Sequence, residues 1–352
     1  MLISVDSRTY ILSQLNKYKY RYPFLHNFLG KNTKLLSENS GPQKFLSDLV
    51  FSIEKDNLAE ITFNFFLSDL HLINAGLYSP IWKYLKPKKR EKVILRLDGI
   101  GIDSEDKNTK LIKKEISNLI NKSNLLIYQS KFCESCFQDI YDYLPNGIII
   151  KNGASKLSPI NLFTKKLIDK INLKFKGNYF ALAGRFTERK RIREVIEQFN
   201  NSEIGNLVVL SDVPKQLKYS NHRILYLGML EPNIARHIIA NSIALIHFDR
   251  YDWCPNLVVS AIQDKIPVIC SNFGGTPEIT GNNGIIIDEF PKDLPNSLEG
   301  IDFVKKANFP INLFKDTILN IYNNGLKIDF DKSYKIEKVA REYINSLKIL
   351  IT

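Results

Sequence analysis

The chain has 352 residues, which suits two domains of ordinary size, and its 44% hydrophobic and 24% charged residues indicate a globular rather than a disordered protein. No apolar run approaches the roughly 20 residues of a membrane-spanning helix, and the start of the sequence lacks the pattern of a secretory signal peptide. Four cysteines without a disulfide-like spacing favour a reducing compartment, so we expect a cytoplasmic protein.

The formal net charge of +12 indicates an anionic partner. Basic residues cluster at positions 17–21 and 86–92, both in the first third of the chain. The charge fits peripheral contact with the anionic inner face of a membrane, a charged ligand, or a nucleic acid. A solvated lysine-rich surface fits it as well. Because the sequence contains no zinc-finger or RNA-binding motif, we expect no nucleic-acid partner.

The first domain is predicted over residues 33–160, after an extra N-terminal segment at residues 1–32 that shows no clear hydrophobic period. Its first strand is expected at residues 33–38, followed by a turn that contains Gly41 and Pro42. A glycine in a strand-to-helix turn lets the backbone approach a ligand closely. A turn of this kind also occurs without any ligand, and the sequence alone leaves both interpretations open.

Apolar strands alternate with helices through the rest of this domain, which predicts a parallel sheet buried on both faces. The predicted strands cover residues 60–66, 70–74, 92–97, 125–128 and 147–150, and the predicted helices cover residues 43–54, 109–121 and 131–143. Polar residues mark the strand ends, notably Asp98 before Gly99. Cys133 and Cys136 form a lone CxxC pair, which we interpret as chance spacing along a helix rather than a metal or redox site.

The second domain is predicted over residues 175–328, after a polar connection at residues 154–176. Its first strand ends at Gly184, Arg185 follows, and a helix starts near Lys190. Arginine and lysine at a helix start are often plain surface charges. They also suit phosphate, since arginine presents a fork of N–H donors and lysine a mobile point charge.

Two further strands are predicted at residues 206–210 and 223–228; the second ends in Gly228, and Met229 follows it. The C-terminal segment 329–352 has helical spacing of its apolar residues. We expect it to form a helix that crosses back to the first domain.

The chain is organised around residues 249–278. A strand at residues 242–248 leads into a polar loop, a helix is predicted over residues 256–263, and a second strand covers residues 266–271. A Gly-Gly-Thr turn then opens another helix. The two loops therefore follow adjacent parallel strands at their carboxyl ends, where open α/β sheets bind ligands. Each loop also feeds a helix N-terminus, whose free N–H groups favour phosphate.

This stretch resembles the donor-binding core of the family-4 retaining glycosyltransferases, which have the GT-B fold. The matching positions form an acidic-x-Cys-Pro-Asn-x-Val-Val segment, a Pro-Val-Ile strand and a Gly-Gly-Thr-Pro-Glu turn: Asp252, Cys254, Pro255, Asn256, Val258, Val259, Ala261, Pro267, Val268, Ile269, Gly274, Gly275, Thr276, Pro277 and Glu278. Two positions depart from the family pattern. Ser260 replaces its second acidic residue, and Lys265 replaces a glycine.

The resemblance implies an α/β protein of GT-B architecture, with two Rossmann-like parallel-sheet domains facing across a cleft. It also implies transfer of a sugar from a nucleoside-diphosphate sugar, with retention of configuration, to a glycan, a lipid-linked acceptor or another hydroxyl, in surface polysaccharide or glycan biosynthesis. No metal and no cofactor are expected. The implied catalytic residues are Arg185 and Lys190 on the diphosphate, Asp252 beside the transferred sugar, and Asp98 near that sugar.

The resemblance also implies a wider set of donor-binding positions, drawn from turns and helix starts. They are Gly41, Pro42, Gly184, Gly228, Met229, Asn256, Leu257, Ser260, Gly274, Gly275 and Thr276. In the family, the glutamate at the position of Ser260 binds the ribose hydroxyls. Losing a charged hydrogen bond there costs about 1.5–3 kcal/mol. Ser260 therefore implies weaker binding of the donor, a different donor, or a degenerate site.

Three alternatives to an active glycosyltransferase remain. A catalytically degenerate GT-B protein that acts as a binding partner is favoured by Ser260. A GT-B enzyme of another reaction, such as an epimerase or a phosphorylase, is a second, although the sequence lacks the lysine context of a pyridoxal-phosphate phosphorylase. A basic nucleic-acid binder with this fold is the third, and a steep loss of affinity with salt would identify it.

Overall fold

The computed structural model describes residues 1–5, 41–68, 70–75, 91–99, 107–331 and 333–350. The chain divides into two compact units, the first formed by Met1–Ser155 with Lys335–Thr352 and the second by Lys156–Tyr334. The strand predicted at residues 33–38 and the basic cluster at residues 17–21 lie outside the described residues, as does the cluster at 86–92 up to residue 90.

A parallel six-stranded sheet forms the centre of the first unit. Its strands are β1 (Leu2–Ser4), β2 (Glu60–Thr62), β3 (Leu70–Asn74), β4 (Lys92–Leu97), β5 (Leu125–Tyr128) and β6 (Gly147–Ile149). Their order across the sheet is β2-β1-β3-β4-β5-β6. The direction of travel across the sheet reverses between β1 and β3, which is the kind of switch point where open sheets bind ligands.

Strand β1 corrects one prediction. The sequence analysis placed residues 1–32 outside the first domain, yet Leu2–Ser4 lies between β2 and β3, with Ile3 fully buried. The backbone N–H of Val5 continues the pairing by donating to the carbonyl of Thr62 at 2.9 Å. Three residues are too few to display a period of two, so the pattern could not separate this strand from the polar sequence after it.

Helices pack on this sheet. They are α1 (Gly41–Lys55), α2 (Lys107–Ile120), α3 (Lys131–Gln138) and a C-terminal helix (Ile336–Lys348). The C-terminal helix lies against α1, where the rings of Phe45 and Tyr343 have centroids 6.3 Å apart. A parallel bridge joins Ala154 to Lys335, and the backbone N–H of Ile336 donates to the carbonyl of Ala154 at 3.1 Å. The last segment of the chain is thus part of the first unit.

The second unit repeats the design with another parallel six-stranded sheet. Its strands are β7 (Phe180–Ala183), β8 (Leu207–Leu210), β9 (Ile224–Tyr226), β10 (Leu245–His247), β11 (Val268–Ser271) and β12 (Gly284–Ile287). Their order is β12-β11-β10-β7-β8-β9. The reversal falls between β7 and β10, so the loops that follow these two strands flank a topological switch point.

The helices of the second unit alternate with its strands. They are α4 (Leu162–Phe175), α5 (Ile192–Asn201), α6 (Pro232–Ile239), α7 (Asn256–Gln263), α8 (Gly275–Thr280), α9 (Leu298–Lys306) and α10 (Ile311–Asn324). Helix α4 lies within residues 154–176, which were expected to be a polar connection and for which no helix was predicted. Its Asn161 cap accepts from the backbone N–H of Thr164, and Ile168 and Ile171 are buried. Because lysines occupy much of the exposed face, the few buried apolar residues did not give a clear helical period in the sequence.

The predicted fold class is confirmed: both units are parallel α/β sheets of Rossmann type with flanking helices. Strands β3, β4 and β5 and helix α7 begin and end at the predicted residues. Cys133 and Cys136 are buried on α3 as free thiols, and burial raises the pKa of Cys136. Within the described part of the chain, no helix is both long and apolar enough to cross a membrane.

The turn after α7 holds the second departure from the family pattern. Lys265 has a φ of 63°, in the left-handed region that glycine adopts most easily. Its backbone N–H donates to the carbonyl of Ile262 at 3.0 Å, as a helix-terminating residue does. The Lys265 ammonium lies 5.1 Å from the centroid of the Phe330 ring, which offsets part of the backbone cost.

We expect Lys265→Gly to raise the free energy of unfolding by about 1 kcal/mol, because a left-handed non-glycine residue costs roughly 1–2 kcal/mol. Urea denaturation monitored by circular dichroism measures the change. Lys170→Gly, on the exposed face of α4, is the matched control and should lower the same free energy by about 1 kcal/mol. A loss of stability in both variants would contradict this account of the turn.

Candidate functional site

The candidate site lies at the carboxyl edge of the second sheet. The loop after β7 carries Lys190, the loop after β10 carries Asp252, and the turn after β11 carries Gly274. Strands β7, β10 and β11 are neighbours in the sheet, so these three connections are adjacent in space. The topology therefore brings together residues that are up to 84 positions apart, from Lys190 to Gly274.

A lysine between two carboxylates is the centre of the site. The Lys190 ammonium donates to Asp249 and to Asp252, with its Nζ 3.0 Å from Asp252 Oδ2. Burial disfavours the charged form of Lys190, but the two carboxylates outweigh burial and raise the pKa of this ammonium. Burial also opposes ionisation of Asp252, but Lys190 and Arg189 outweigh it and lower the pKa of this carboxyl. Lys190 and Asp252 are therefore both charged near neutral pH.

Two further side chains complete the cluster. Arg189 Nη1 lies 3.6 Å from Asp252 Oδ2 and donates to the carbonyl of Tyr251 at 2.7 Å. The His247 ring is almost fully buried, and its Nε2 lies 3.5 Å from Asp249 Oδ2. Among the residues that the structure describes, neither nitrogen of His247 has a hydrogen-bond partner. Burial lowers the pKa of His247, so the ring is neutral.

His247, Asp249 and Asp252 hold ligand atoms within 4.8 Å of one another, a set with the chemistry of a divalent-metal site. The Lys190 ammonium, however, bonds to both carboxylates and supplies a cation to the cluster from the chain itself. That no metal is needed stays a prediction.

The turn at Gly274 and Gly275 packs closely against the backbone of the loop that carries Asp252. Gly274 has a φ of 87°, and a Cβ there would stand 3.1 Å from the backbone nitrogen of Asp252. The N–H of Gly275 donates to the carbonyl of Asp252 at 2.7 Å, and a Cβ on Gly275 would overlap the carbonyl of Trp253. Both positions therefore require glycine. Thr276 is buried in the first turn of α8, and its Oγ1 has no hydrogen bond among the described residues.

Helix α7 presents its N-terminus to the same edge. Pro255 is its N-cap, with a φ of −67°, and Asn256 and Leu257 form its first turn, both half-buried. Ser260 lies one turn further along and is half-buried too. The predicted positions of this helix thus lie in its first two turns, as a phosphate and ribose site would require.

The other predicted donor positions of the second unit lie at neighbouring strand ends. Gly184 directly follows β7 with a φ of 144°, and Arg185 after it has an exposed side chain. Gly228 follows β9 with a φ of 71°. The backbone N–H of Met229, a half-exposed residue, donates to Asp212 Oδ1 at 2.9 Å. Asp212 therefore fixes the loop in which Gly228 and Met229 lie.

In the first unit, Asp98 is held in a buried polar network. Its carboxylate accepts from Arg96, Asn74 and Gln129. Arg96 is itself fully buried, donates to Asn152 at 2.6 Å, and lies 4.4 Å from the centroid of the Phe45 ring.

Gly41 and Pro42 form the first two positions of α1, and Gly41 is exposed. The roles assigned to Asp98, Gly41 and Pro42 by resemblance stay predictions.

Sequence analysis missed Asp249, His247 and Arg189 as members of the site. Asp249 and Asp252 are three positions apart in the stretch already singled out, and Arg189 precedes Lys190. The sequence shows Asp249 and Arg189 as charged residues. That Asp249 contacts Lys190, 59 positions away, becomes apparent only from the strand order.

The fold of the chain is similar to that of several solved structures. Anabaena HepE (Alr3699) in complex with UDP and glucose matches with a TM-score of 0.56 at 14% identity, over 99% of both chains. Sucrose-phosphate synthase from Thermosynechococcus elongatus matches with a TM-score of 0.53 at 14% identity, over 90% of this chain and 77% of that one. TarM matches with a TM-score of 0.52 at 16% identity, over 86% of this chain and 55% of that one.

No family model and no curated protein sequence matches the chain. At identities of 14–16% the structural matches establish the fold, which is GT-B.

We expect Asp98→Asn to lower the free energy of unfolding by about 3–5 kcal/mol, because it leaves the buried guanidinium of Arg96 without its counter-ion. Chemical denaturation measures the loss. Asp302→Asn is the control: its carboxylate is 74% exposed, so the change should stay within about 0.5 kcal/mol. If Asp98→Asn were as mild as its control, the Arg96 network would not be a main stabilising element of the first unit.

Proposed function

We propose that the chain is a retaining glycosyltransferase of the family-4 type, which transfers a sugar from a nucleoside-diphosphate sugar to a hydroxyl acceptor. The observation that carries the proposal is the placement of Lys190 and Asp252 together at the switch point of the second sheet. Both were identified from a motif before their proximity was known. The GT-B fold supports the proposal.

In this proposal the diphosphate of the donor binds to cations and to free helix amides at the carboxyl edge of the second sheet. Arg185 and Lys190 are the cations, and the N-terminal amides of α7 at Asn256 and Leu257 supply uncharged donors. A diphosphate leaving group gains negative charge as the glycosidic bond breaks. Fixed positive groups in a site that excludes water stabilise that charge better than water does. In this proposal the reaction uses no cofactor and no metal, because Arg185 and Lys190 provide the positive charge.

Asp252 would act at the sugar. Its pKa is lowered, so the carboxylate remains charged and can stabilise an oxocarbenium-like carbon and accept from sugar hydroxyls. Its Oδ1 already accepts from the backbone N–H of Trp253 at 2.7 Å, which fixes the orientation of the carboxylate. The acceptor proton would pass to a phosphate oxygen of the donor, so the mechanism needs no protein base.

UDP is the first nucleotide to test. The HepE structures contain UDP, UDP with glucose, and UDP-glucose. In this chain the loop at Gly228 and Met229 would face the base, and the hydroxyl of Ser260 would contact the ribose. Because serine is uncharged, we expect this contact to be weaker than that of a glutamate.

The acceptor is proposed to be a growing glycan or a lipid-linked sugar in surface polysaccharide biosynthesis. Peripheral contact with an anionic membrane would bring the protein to such an acceptor. Helix α2 exposes Leu111 and Ile112 next to Lys110 and Lys114, a mixture of apolar and basic side chains that suits the membrane interface.

A second candidate is a catalytically degenerate GT-B protein that binds a partner. Ser260 is the observation that favours it, since the ribose contact has lost its charge. Donor hydrolysis or transfer would exclude this candidate.

The first experiment is a thermal-shift screen with UDP, GDP, ADP, CMP and their sugars. A ligand that binds only the folded protein raises its melting temperature. At a ligand concentration of a hundred times Kd, the free energy of unfolding rises by about 2.7 kcal/mol. We expect a shift with one diphosphate family, lost in Arg185→Ala. Arg193→Ala is the control, because Arg193 is 61% exposed and pairs with Glu197 away from the site.

No shift with any nucleotide at millimolar concentration would contradict the proposed function. If a shift is found, NMR of the transferred anomeric proton with the corresponding sugar nucleotide tests retention. A product of inverted configuration would exclude the retaining assignment.

A further inference from the structure

The second carboxylate on Lys190, that of Asp249, has no place in the mechanism above. Asp249 follows β10 by two residues and is 4% exposed at its side chain. It accepts from the Lys190 ammonium in an ion pair, while Asp252 accepts from the same ammonium at 3.0 Å. The cation that the diphosphate needs is therefore already bound on two sides by the protein.

An ammonium group has three N–H donors. In this structure Asp249 and Asp252 take two of them, which leaves one for a phosphate oxygen. The charges are matched as well. Lys190 and Arg189 face Asp249 and Asp252, and the fifth member of the cluster, His247, is neutral. A diphosphate approaching Lys190 thus meets a charged ammonium that already has two carboxylate partners, with which the diphosphate must compete.

We propose that Asp249 is a positioning residue that holds Lys190 on Asp252 and competes with the diphosphate for the Lys190 ammonium. The inference rests on the proposed function of this site and specifies how tightly the site holds its nucleotide. Asp249 weakens the binding of a nucleoside diphosphate, and the effect is larger for the free diphosphate than for its sugar ester, since the free diphosphate carries the greater negative charge.

This competition has a use in the reaction. Once the sugar has left, the product diphosphate carries an extra charge and would be held more tightly than the donor by any fixed cation. The Asp249 carboxylate bonded to Lys190 counteracts that gain and favours release of the product. Asp252 is not suited to the same role, because it is the group that contacts the sugar in the proposed mechanism.

The test is Asp249→Asn, which keeps the shape of the side chain and removes its charge. Binding of UDP and of UDP-glucose is measured by isothermal titration calorimetry. We expect the Kd of UDP to fall at least fivefold and that of UDP-glucose to fall less. In a Lys190→Met background, Asp249→Asn should change the Kd of UDP less than twofold, because the two residues act through one ion pair.

The matched control is Asp264→Asn, which removes a carboxylate that pairs with Arg236 at 2.6 Å in the same unit but away from the cluster. It should leave both Kd values unchanged. Asp249→Ser is a second variant in case the asparagine protein does not fold, and it should show the same gain. Circular dichroism establishes that each variant is folded.

UDP binding by the wild-type protein with no gain in a folded Asp249 variant overturns this inference and leaves the proposed function standing. An equal gain in the Lys190→Met background also overturns it, because direct repulsion between Asp249 and the diphosphate would then explain the effect. If neither the wild type nor the variants bind any nucleotide, the proposed function fails together with the inference.

Discussion

The ion pair between Lys190 and the carboxylates of Asp249 and Asp252 is the interaction on which the second unit's carboxyl edge depends. It joins the loop after β7 to the loop after β10, across the point where the strand order reverses. Breaking a buried pair by removing one partner leaves an uncompensated charge, which is strongly destabilising. The glycines after β11 follow from the same arrangement, because the backbone of Asp252 is held where a Cβ on Gly274 or Gly275 would meet it.

The first unit also has a buried ion pair at the carboxyl edge of its sheet, formed by different residues. Its carboxyl edge is closed by Arg96 and Asp98, and Tyr343 from the C-terminal helix accepts from Arg96 Nε at 3.1 Å. In both units a cation is held by polar groups that follow strand ends: Lys190 by two carboxylates of the loop after β10, and Arg96 by Asp98 after β4 and Asn152 after β6. The second cluster is the more open of the two: the side chain of Lys190 is 16% exposed, whereas that of Arg96 is fully buried. A ligand can reach the former, and the latter mainly stabilises the fold.

Sequence reasoning succeeded where information is local. Helix α7 and strands β3, β4 and β5 were predicted because their apolar periods and punctuating residues lie within a few positions of one another. It failed where pairing decides the outcome. Strand β1 is too short to show a period, and Asp249 looked like any loop carboxylate until the strand order placed it against Lys190. The motif indicated a candidate site, but not the charge balance within it.

The pairing of Ala154 with Lys335 has a consequence for how the chain folds. The chain from Lys156 to Tyr334 forms the second unit, so the first unit is completed only when the two ends of this long insertion meet. Closing a loop through a disordered chain costs more entropy the longer the loop is. Folding of the second unit shortens the disordered part of this loop and thereby lowers the entropy cost of closing it. Folding of the insertion therefore assists docking of the C-terminal helix, and destabilising the second unit should loosen the first.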